Sequence, residues 1–405
     1  MIQIREDWRA WVTPKPLRIS PVHRWYAFPH SFTGELVDAL IKEWRLTRKD
    51  RVLDPFSGAG TTVLAAKMRG LAATGYDVSP LAVFVSRVKT RDYDVGHLEE
   101  LWGCLQRRIQ GRTFSGVRGE YSELIRQALP DGILATFEGI DVAIDALPAR
   151  AKERDFFRLA LLAILPKYSR AVAAGGWLKW VVNRTKSTSI AASLADRVFL
   201  MLEDLRTSEI PRGNHWRVVC ADARSLPDAD ARYKAVITSP PYPNRHDYTR
   251  VFGVELLYGF LNWEQMRRVR YQSIQSHPEA RPRRPCYDDY KSPRGLNATL
   301  RKMQDAQLDA KILAMLEGYF IDLHLCLREC QRVTKPGGWI AFVVGNAQYR
   351  GCPLPVDEYL VRIGQSLGLS RQAVMAVRFR GNSAQQMGEF GRNPSRESVV
   401  VFRRE

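Results

Sequence analysis

Ser239-Pro240-Pro241-Tyr242 is the stretch of this chain whose residue types best suit chemistry. Lys234-Ala235-Val236-Ile237-Thr238 leads into it, a short apolar run that predicts a buried strand of a parallel sheet. Two successive prolines have no N–H to donate, so the ladder must stop and a stiff loop must begin. In open α/β sheets, ligands bind where loops leave the carboxyl ends of strands. There a fixed carbonyl and the Ser239 hydroxyl can together accept both hydrogens of an exocyclic amino group. That draws the nitrogen lone pair out of conjugation and aims it at an electrophile. Tyr242 offers a flat face on which a base can stack. Alone, the tetrapeptide also fits a Pro-rich turn with a packed Tyr, so the rest of the chain must decide.

A second stretch points the same way. Arg51-Val52-Leu53 reads as a strand, and Asp54-Pro55-Phe56-Ser57-Gly58-Ala59-Gly60-Thr61-Thr62 as a Gly-rich turn opening a helix. The helix stops at Gly70. A strand from Leu71 to Gly75 then ends in Tyr76-Asp77, and Ser79-Pro80 opens another helix. Asp77, 17 residues after Gly60, is placed to accept from ribose hydroxyls. A nicotinamide site would want a third glycine where Val63 stands, and the Gly-Lys-Ser/Thr of a P-loop is absent. Asp54 at the head of the turn repels phosphate and suits an ammonium. These features favour S-adenosylmethionine over a dinucleotide. Upstream, His23 to Phe32 is aromatic, the wall of a cofactor pocket or a staple for the amphipathic helix Glu35 to Trp44. Asp222, at the end of the strand Arg217 to Cys220, is placed to accept from an adenine amino group.

Around these pieces lies a chain of 405 residues, too long for one simple core. Its net charge of +18 favours polyanionic partners. Six cysteines without pairing or zinc-type spacing fit a reducing, cytoplasmic compartment, and Cys326 and Cys330 read as core residues. No signal-peptide pattern opens the sequence, and no apolar run is long enough to span a bilayer.

The expected organisation is α/β. Residues 1–91 hold the N-terminal segment and the cofactor half. Residues 92–211 form a helical insertion, with periodicity at Tyr121 to Leu129 and Phe156 to Leu165. Within it, Trp177-Leu178-Lys179-Trp180 and Asn183-Arg184-Thr185-Lys186 interleave aromatics with cations. They fit nucleic-acid contact through Lys179 and Arg184, and equally a Trp pair buried on a helix. Residues 212–266 carry the catalytic half, where the loop continues through Pro243-Asn244-Arg245-His246-Asp247. Arg245 and His246 are candidates for positioning the loop or meeting phosphate rather than for acid–base work. Residues 267–310 read as a basic loop, with Arg283 and Arg284 facing a polyanion. Its Pro285-Cys286 resembles the nucleophile dipeptide of carbon-5 cytosine methyltransferases, but no Glu-Asn-Val accompanies it. Residues 311–405 close the α/β domain with a helix from Ile312 to Val333, a turn at Lys335 to Gly338 and a strand from Trp339 to Val344. A helix from Val356 follows, and two final strands could pair antiparallel at the sheet edge.

Together these motifs resemble the amino-group DNA methyltransferases that use S-adenosylmethionine. Asp54 to Thr62 matches the family's cofactor motif, Asp77 and Asp222 its acidic strand ends, and Ser239 to Tyr242 its catalytic motif, in the form typical of the N4-cytosine branch. Phe28-Pro29 resembles its pre-cofactor segment. The likeness covers roughly Trp25 to Arg91 and Val218 to Arg403, and omits the helical insertion. It implies a Rossmann-like class I methyltransferase with a mostly parallel seven-stranded sheet and helices on both faces. It implies methylation of an exocyclic amino group in DNA, cytosine N4 ahead of adenine N6. The implied catalytic residues are Ser239, Pro240, Pro241 and Tyr242. The implied cofactor residues are Phe28, Asp54, Pro55, Phe56, Gly58, Gly60, Thr61, Thr62, Asp77 and Asp222, with no metal. DNA is the implied partner, and a cognate restriction endonuclease a further one. An RNA amino-methyltransferase and a silent nucleic-acid-binding subunit are the alternatives. In many Ser-Pro-Pro-Tyr enzymes the catalytic motif comes first; here the cofactor motif does.

Overall fold

A computed structural model describes residues 2–26, 28–181, 188–213, 215–282, 289–381 and 394–405. Its strands are β1 (Gln3–Ile4), β2 (Arg51–Asp54), β3 (Ala72–Asp77), β4 (Ala171–Ala174), β5 (Trp177–Trp180), β6 (Trp216–Cys220), β7 (Tyr233–Thr238), β8 (Thr334–Gly345), β9 (Ala347–Tyr349), β10 (Cys352–Leu354), β11 (Leu369–Arg380) and β12 (Ser395–Arg404). Eight of them form one sheet in the order β1-β11-β12-β8-β7-β2-β3-β6. Neighbours from β8 to β6 run parallel, and β12 is antiparallel to both β8 and β11. The two C-terminal strands therefore pair as expected, but β12 lies inside the sheet. The eighth strand is the two-residue β1, which adds parallel to β11 through Gln3 and Met375. Two residues leave no periodicity to read.

Alternation along each strand builds a core on either face. Leu53, Val236, Ile340 and Phe402 face the helices Ala310–Val333 and Val356–Ser366. Val52, Ala235, Ala341 and Val401 face the helices Gly34–Glu43 and Thr61–Met68. Cys326 and Cys330 are buried core residues. At Lys335 to Gly338 the expected turn is absorbed into β8 as an irregularity in its pairing with β7.

The stretch from Val95 to Thr207 is mostly helical, with helices at Val95–Ile109, Glu123–Ala128, Asp131–Asp145, Ala151–Tyr168 and Ile190–Thr207. They share one core with Trp25, Phe28, Leu81 and Val85. The buried Asp204 holds the N-terminal segment there, accepting from Val22 N (2.8 Å), Trp25 Nε1 (3.0 Å) and Arg24 Nε (3.0 Å). Two expectations change. Trp177 to Trp180 is not helical: β4 and β5 form a hairpin between two helices. The expected basic loop carries helices at both ends, Trp263–Gln272 and Leu296–Asp305. No helix among the described residues is long and apolar enough to cross a membrane.

Gly60 shows how tightly the first turn is built. Its φ is +85°, and a Cβ there would lie 2.3 Å from Ser86 Oγ. Gly60→Ala should lower the melting temperature by several degrees, from left-handed strain of about 1 kcal/mol plus the clash. An unchanged thermal melt by circular dichroism would refute this packing role.

Candidate active site

The strand order reverses between β2 and β7, and both strands end at that switch point. Asp54 and Thr238, the last residues of these strands, bridge it: Thr238 Oγ1 donates to Asp54 Oδ1 at 2.6 Å. Phe56 N donates to the same oxygen at 3.1 Å. Asp54 is only 2% exposed, next to Pro55 and Phe56 of the cleft lining. Its carboxyl ties the two strand ends together. Thr61 and Thr62 are buried too, with Thr62 Oγ1 donating to the Ile237 carbonyl. Gly60 packs on Ser86, so this half of the motif shapes the turn from behind.

Burial raises the Asp54 carboxyl to about 6, against the hydrogen bonds that favour its ionised form. A carboxyl raised on folding stabilises below its unfolded value and loses that contribution as pH rises through the folded value. Between pH 4 and 7, Asp54 should thus remove about 3 kcal/mol of stability. Asp54→Asn should flatten that part of the pH profile; identical melting-temperature profiles for both proteins would contradict it.

The cleft holds about 1360 Å³ of empty space, part of it open to solvent. Phe28, Pro55, Phe56, Gly58, Asp77 and Asp222 line it, together with Ser239 to Tyr242. Asp77 Oδ2 accepts from Gly58 N and Oδ1 from Ser79 N, both at 2.9 Å. A carboxylate has about four acceptor positions, so two amides leave room for a vicinal diol. Burial raises this carboxyl, and the backbone amides oppose the rise. Phe28 packs its ring 4.5 Å from Phe252.

Asp222 is less open than its position suggested. Arg224 donates to its Oδ1 from N (2.9 Å) and Nε (3.0 Å), and to its Oδ2 from Nη2 (2.9 Å). The same guanidinium donates from Nη1 to the buried Asp322 Oδ1 at 2.9 Å. Burial alone would lower Arg224; the two carboxylates outweigh it and hold it above its ordinary value. No spacing in the sequence marked this clamp.

In the proline loop, Ser239 Oγ donates to the Val343 carbonyl at 3.0 Å. A carbonyl can only accept, so this bond uses the Ser239 proton, and Tyr242 is a second hydrogen-bonding neighbour of the same hydroxyl. The Tyr242 ring packs on Gly345, where an added Cβ would lie 2.7 Å from it. Burial, and then the charge of Glu397, raise the Tyr242 phenol, so the ring is neutral. Glu397 is ion-paired with Arg380 and Arg378, and both Glu397 and Arg380 line the cleft, unforeseen in the sequence.

Downstream, Arg245 is exposed with φ +66°. His246 is half-buried against His30, with ring centroids 4.8 Å apart. Burial lowers His246, and lowers His30 to about 4, so both rings are neutral at pH 7. Asp247 accepts from Thr249 N (2.9 Å) and pairs with Arg270 (2.9 Å), which anchors the loop. Lys179 is exposed on the hairpin, whereas Arg184, Arg283 and Arg284, with Cys286, lie outside the described residues.

A mostly parallel sheet with an antiparallel strand inserted near one edge, and a cleft at its switch point, defines the Rossmann-like methyltransferase architecture. No family model matches the chain. Over nearly its whole length, however, it is similar to proteins named type II methyltransferases. Type II methyltransferase M.BsoBI of Geobacillus stearothermophilus is 26% identical over 451 residues, 94% of this chain and 85% of that one. Type II methyltransferase M.AvaI of Nostoc sp. is 26% identical over 421 residues, 95% and 86% of the two chains.

Proposed function

We propose that this protein transfers a methyl group from S-adenosylmethionine to the exocyclic amino group of a base in DNA, with cytosine N4 as the target. The observation that carries the reading is Ser239. Its proton is taken by the Val343 carbonyl and the residue lines the cleft, so in this reading its oxygen serves an amino group as an acceptor. In this reading the Pro240 carbonyl is the second acceptor, Pro241 stiffens the loop, and Tyr242 stacks on the base. The relatives named type II methyltransferases support DNA as substrate, and Ser in first position favours cytosine over adenine.

When bound, the cofactor supplies an electrophilic methyl on a sulfonium. Phe28, Pro55 and Phe56 would enclose it, Gly58 would allow close backbone approach, and Asp77 would accept from the ribose. Asp222, held by Arg224, would border the adenine. The base must leave the stack to enter the cleft, at a cost of about a few kcal/mol. Orientation within the cleft would then supply most of the rate. Target recognition falls to the helical stretch 92–211 or the basic stretch 267–310, the parts outside the cofactor and catalytic halves. A cognate restriction endonuclease is the partner this activity would protect against.

The experiment is transfer of labelled methyl to unmethylated genomic DNA, with RNA in parallel, followed by nucleoside mass spectrometry. N4-methylcytosine is the expected product. N6-methyladenine would correct the base, label in RNA alone would move the protein to an RNA substrate, and no label with cofactor bound would refute the activity.

A further inference from the structure

The hairpin β4–β5 stands beside the proline loop and carries two exposed indoles. Trp177 is 65% exposed and Trp180 46%. Leaving such large apolar rings in water is costly, and the rest of the hairpin is firmly seated. Ala171 is buried at its base, and Arg170 N donates to the Ala128 carbonyl at 2.8 Å. Val181 N closes the base onto the Arg170 carbonyl, also at 2.8 Å. Leu178 packs toward Gly253, where an added Cβ would lie 3.6 Å from its Cδ1. At the apex, a Cβ on Gly176 would lie 3.3 Å from both the Arg245 carbonyl oxygen and His246 Cα. The residue before Trp177 thus touches the continuation of the Ser-Pro-Pro-Tyr loop, and His246 in turn meets His30 in the cleft wall.

Strand alternation puts Trp177 and Lys179 on one face of the hairpin and Leu178 on the other. Leu178 is the half-buried one, so Trp177 and Lys179 share the face turned from the core. An indole beside a cation is a stacking platform joined to a phosphate contact. A two-stranded ribbon also fits the major groove of B-DNA, about 12 Å wide.

We propose that Trp177 is a DNA wedge: it stacks into the duplex position vacated by the target base, while Lys179 meets the adjacent phosphate. The role rests on the DNA methyltransferase reading, but its test does not depend on methyl transfer. A rigid ring in the gap restores stacking on both neighbours of the missing base and lowers the cost of keeping that base in the cleft. Trp177 is therefore a positioning residue.

The probe is a short DNA duplex with one abasic site, compared with the same duplex intact, bound to the full-length protein. The abasic duplex offers a ready-made gap and needs no knowledge of the recognition sequence. The wild-type protein should bind it about tenfold more tightly than the intact duplex, with quenching of tryptophan emission. Trp177→Ala should lose the preference while keeping its affinity for the intact duplex within about twofold. Trp177→Phe should keep most of the preference and lose the quenching. Equal preference in wild type and Trp177→Ala would overturn the proposal, as would no preference in the wild type; the indoles would then belong to a protein interface. Methylation assayed in the same samples separates the two ideas: an abasic preference without methyl transfer would preserve the wedge and sink the proposed activity.

Discussion

Ser239→Ala should lower methyl transfer by about 100- to 1000-fold, the cost of removing one preorganised hydrogen-bonding group from a reacting centre. Cofactor affinity should be unchanged, because in the proposed reading Ser239 serves the base while Phe28 and Asp77 serve the cofactor. The alanine also frees the Val343 carbonyl, at the end of a buried strand, so some of the loss could be structural. Ser239→Cys separates the two effects: a thiol is a weak acceptor, and activity should stay low while the melt stays near wild type. Tyr242→Ala should lose about 10- to 100-fold, as expected from one stacked base worth about 1–3 kcal/mol. Tyr242→Phe keeps the ring and should keep most of the rate. Full activity in both Ser239→Ala and Tyr242→Ala, with labelled methyl as the readout, would remove the loop from the reaction.

Asp77→Ala should weaken S-adenosylmethionine binding by about 100-fold, measured by calorimetry, through loss of charge-assisted hydrogen bonds worth about 1.5–3 kcal/mol each. Affinity for DNA without cofactor should not move. Asp77 also ties Gly58 to Ser79, so the alanine loosens the turn as well. Asp77→Asn retains one acceptor oxygen and should fall between wild type and alanine. Unchanged cofactor affinity in Asp77→Ala would refute the role.

What could be read before the structure was whatever is local. The β2–turn–helix–β3 unit and the strand into the proline loop are written in contiguous residues, so apolar runs, glycines and strand-end acids marked these elements. What escaped depends on remote partners. That Asp54 ties two strand ends together is decided by Thr238, 184 positions away. Whether Asp222 is open is decided by Arg224 and, through it, Asp322. Trp177 to Trp180 misled because the helical periodicity on either side made a four-residue strand look like more of the same; the Gly175-Gly176 pair was the available turn signal. Arg380 and Glu397 gave no local sign at all, since they reach the cleft only when β11 and β12 pair.

The way the first strand is tied down governs when the protein comes into being. β1 pairs with Met375 and Ala376, and the cleft that takes Val12 and Phe28 from the start of the chain takes Arg380 and Glu397 from near its end. At about 5–20 residues per second, the ribosome needs about 20–80 s for these 405 residues. For nearly all of that time the N-terminal strap has no edge to join, and Phe28 has only part of its pocket. The growing polypeptide is thus without a finished cleft until its last strands emerge. Contacts of this sequence separation also make the final docking slow. A cleft lined from both ends of the sheet is finished only once β11 and β12 have paired.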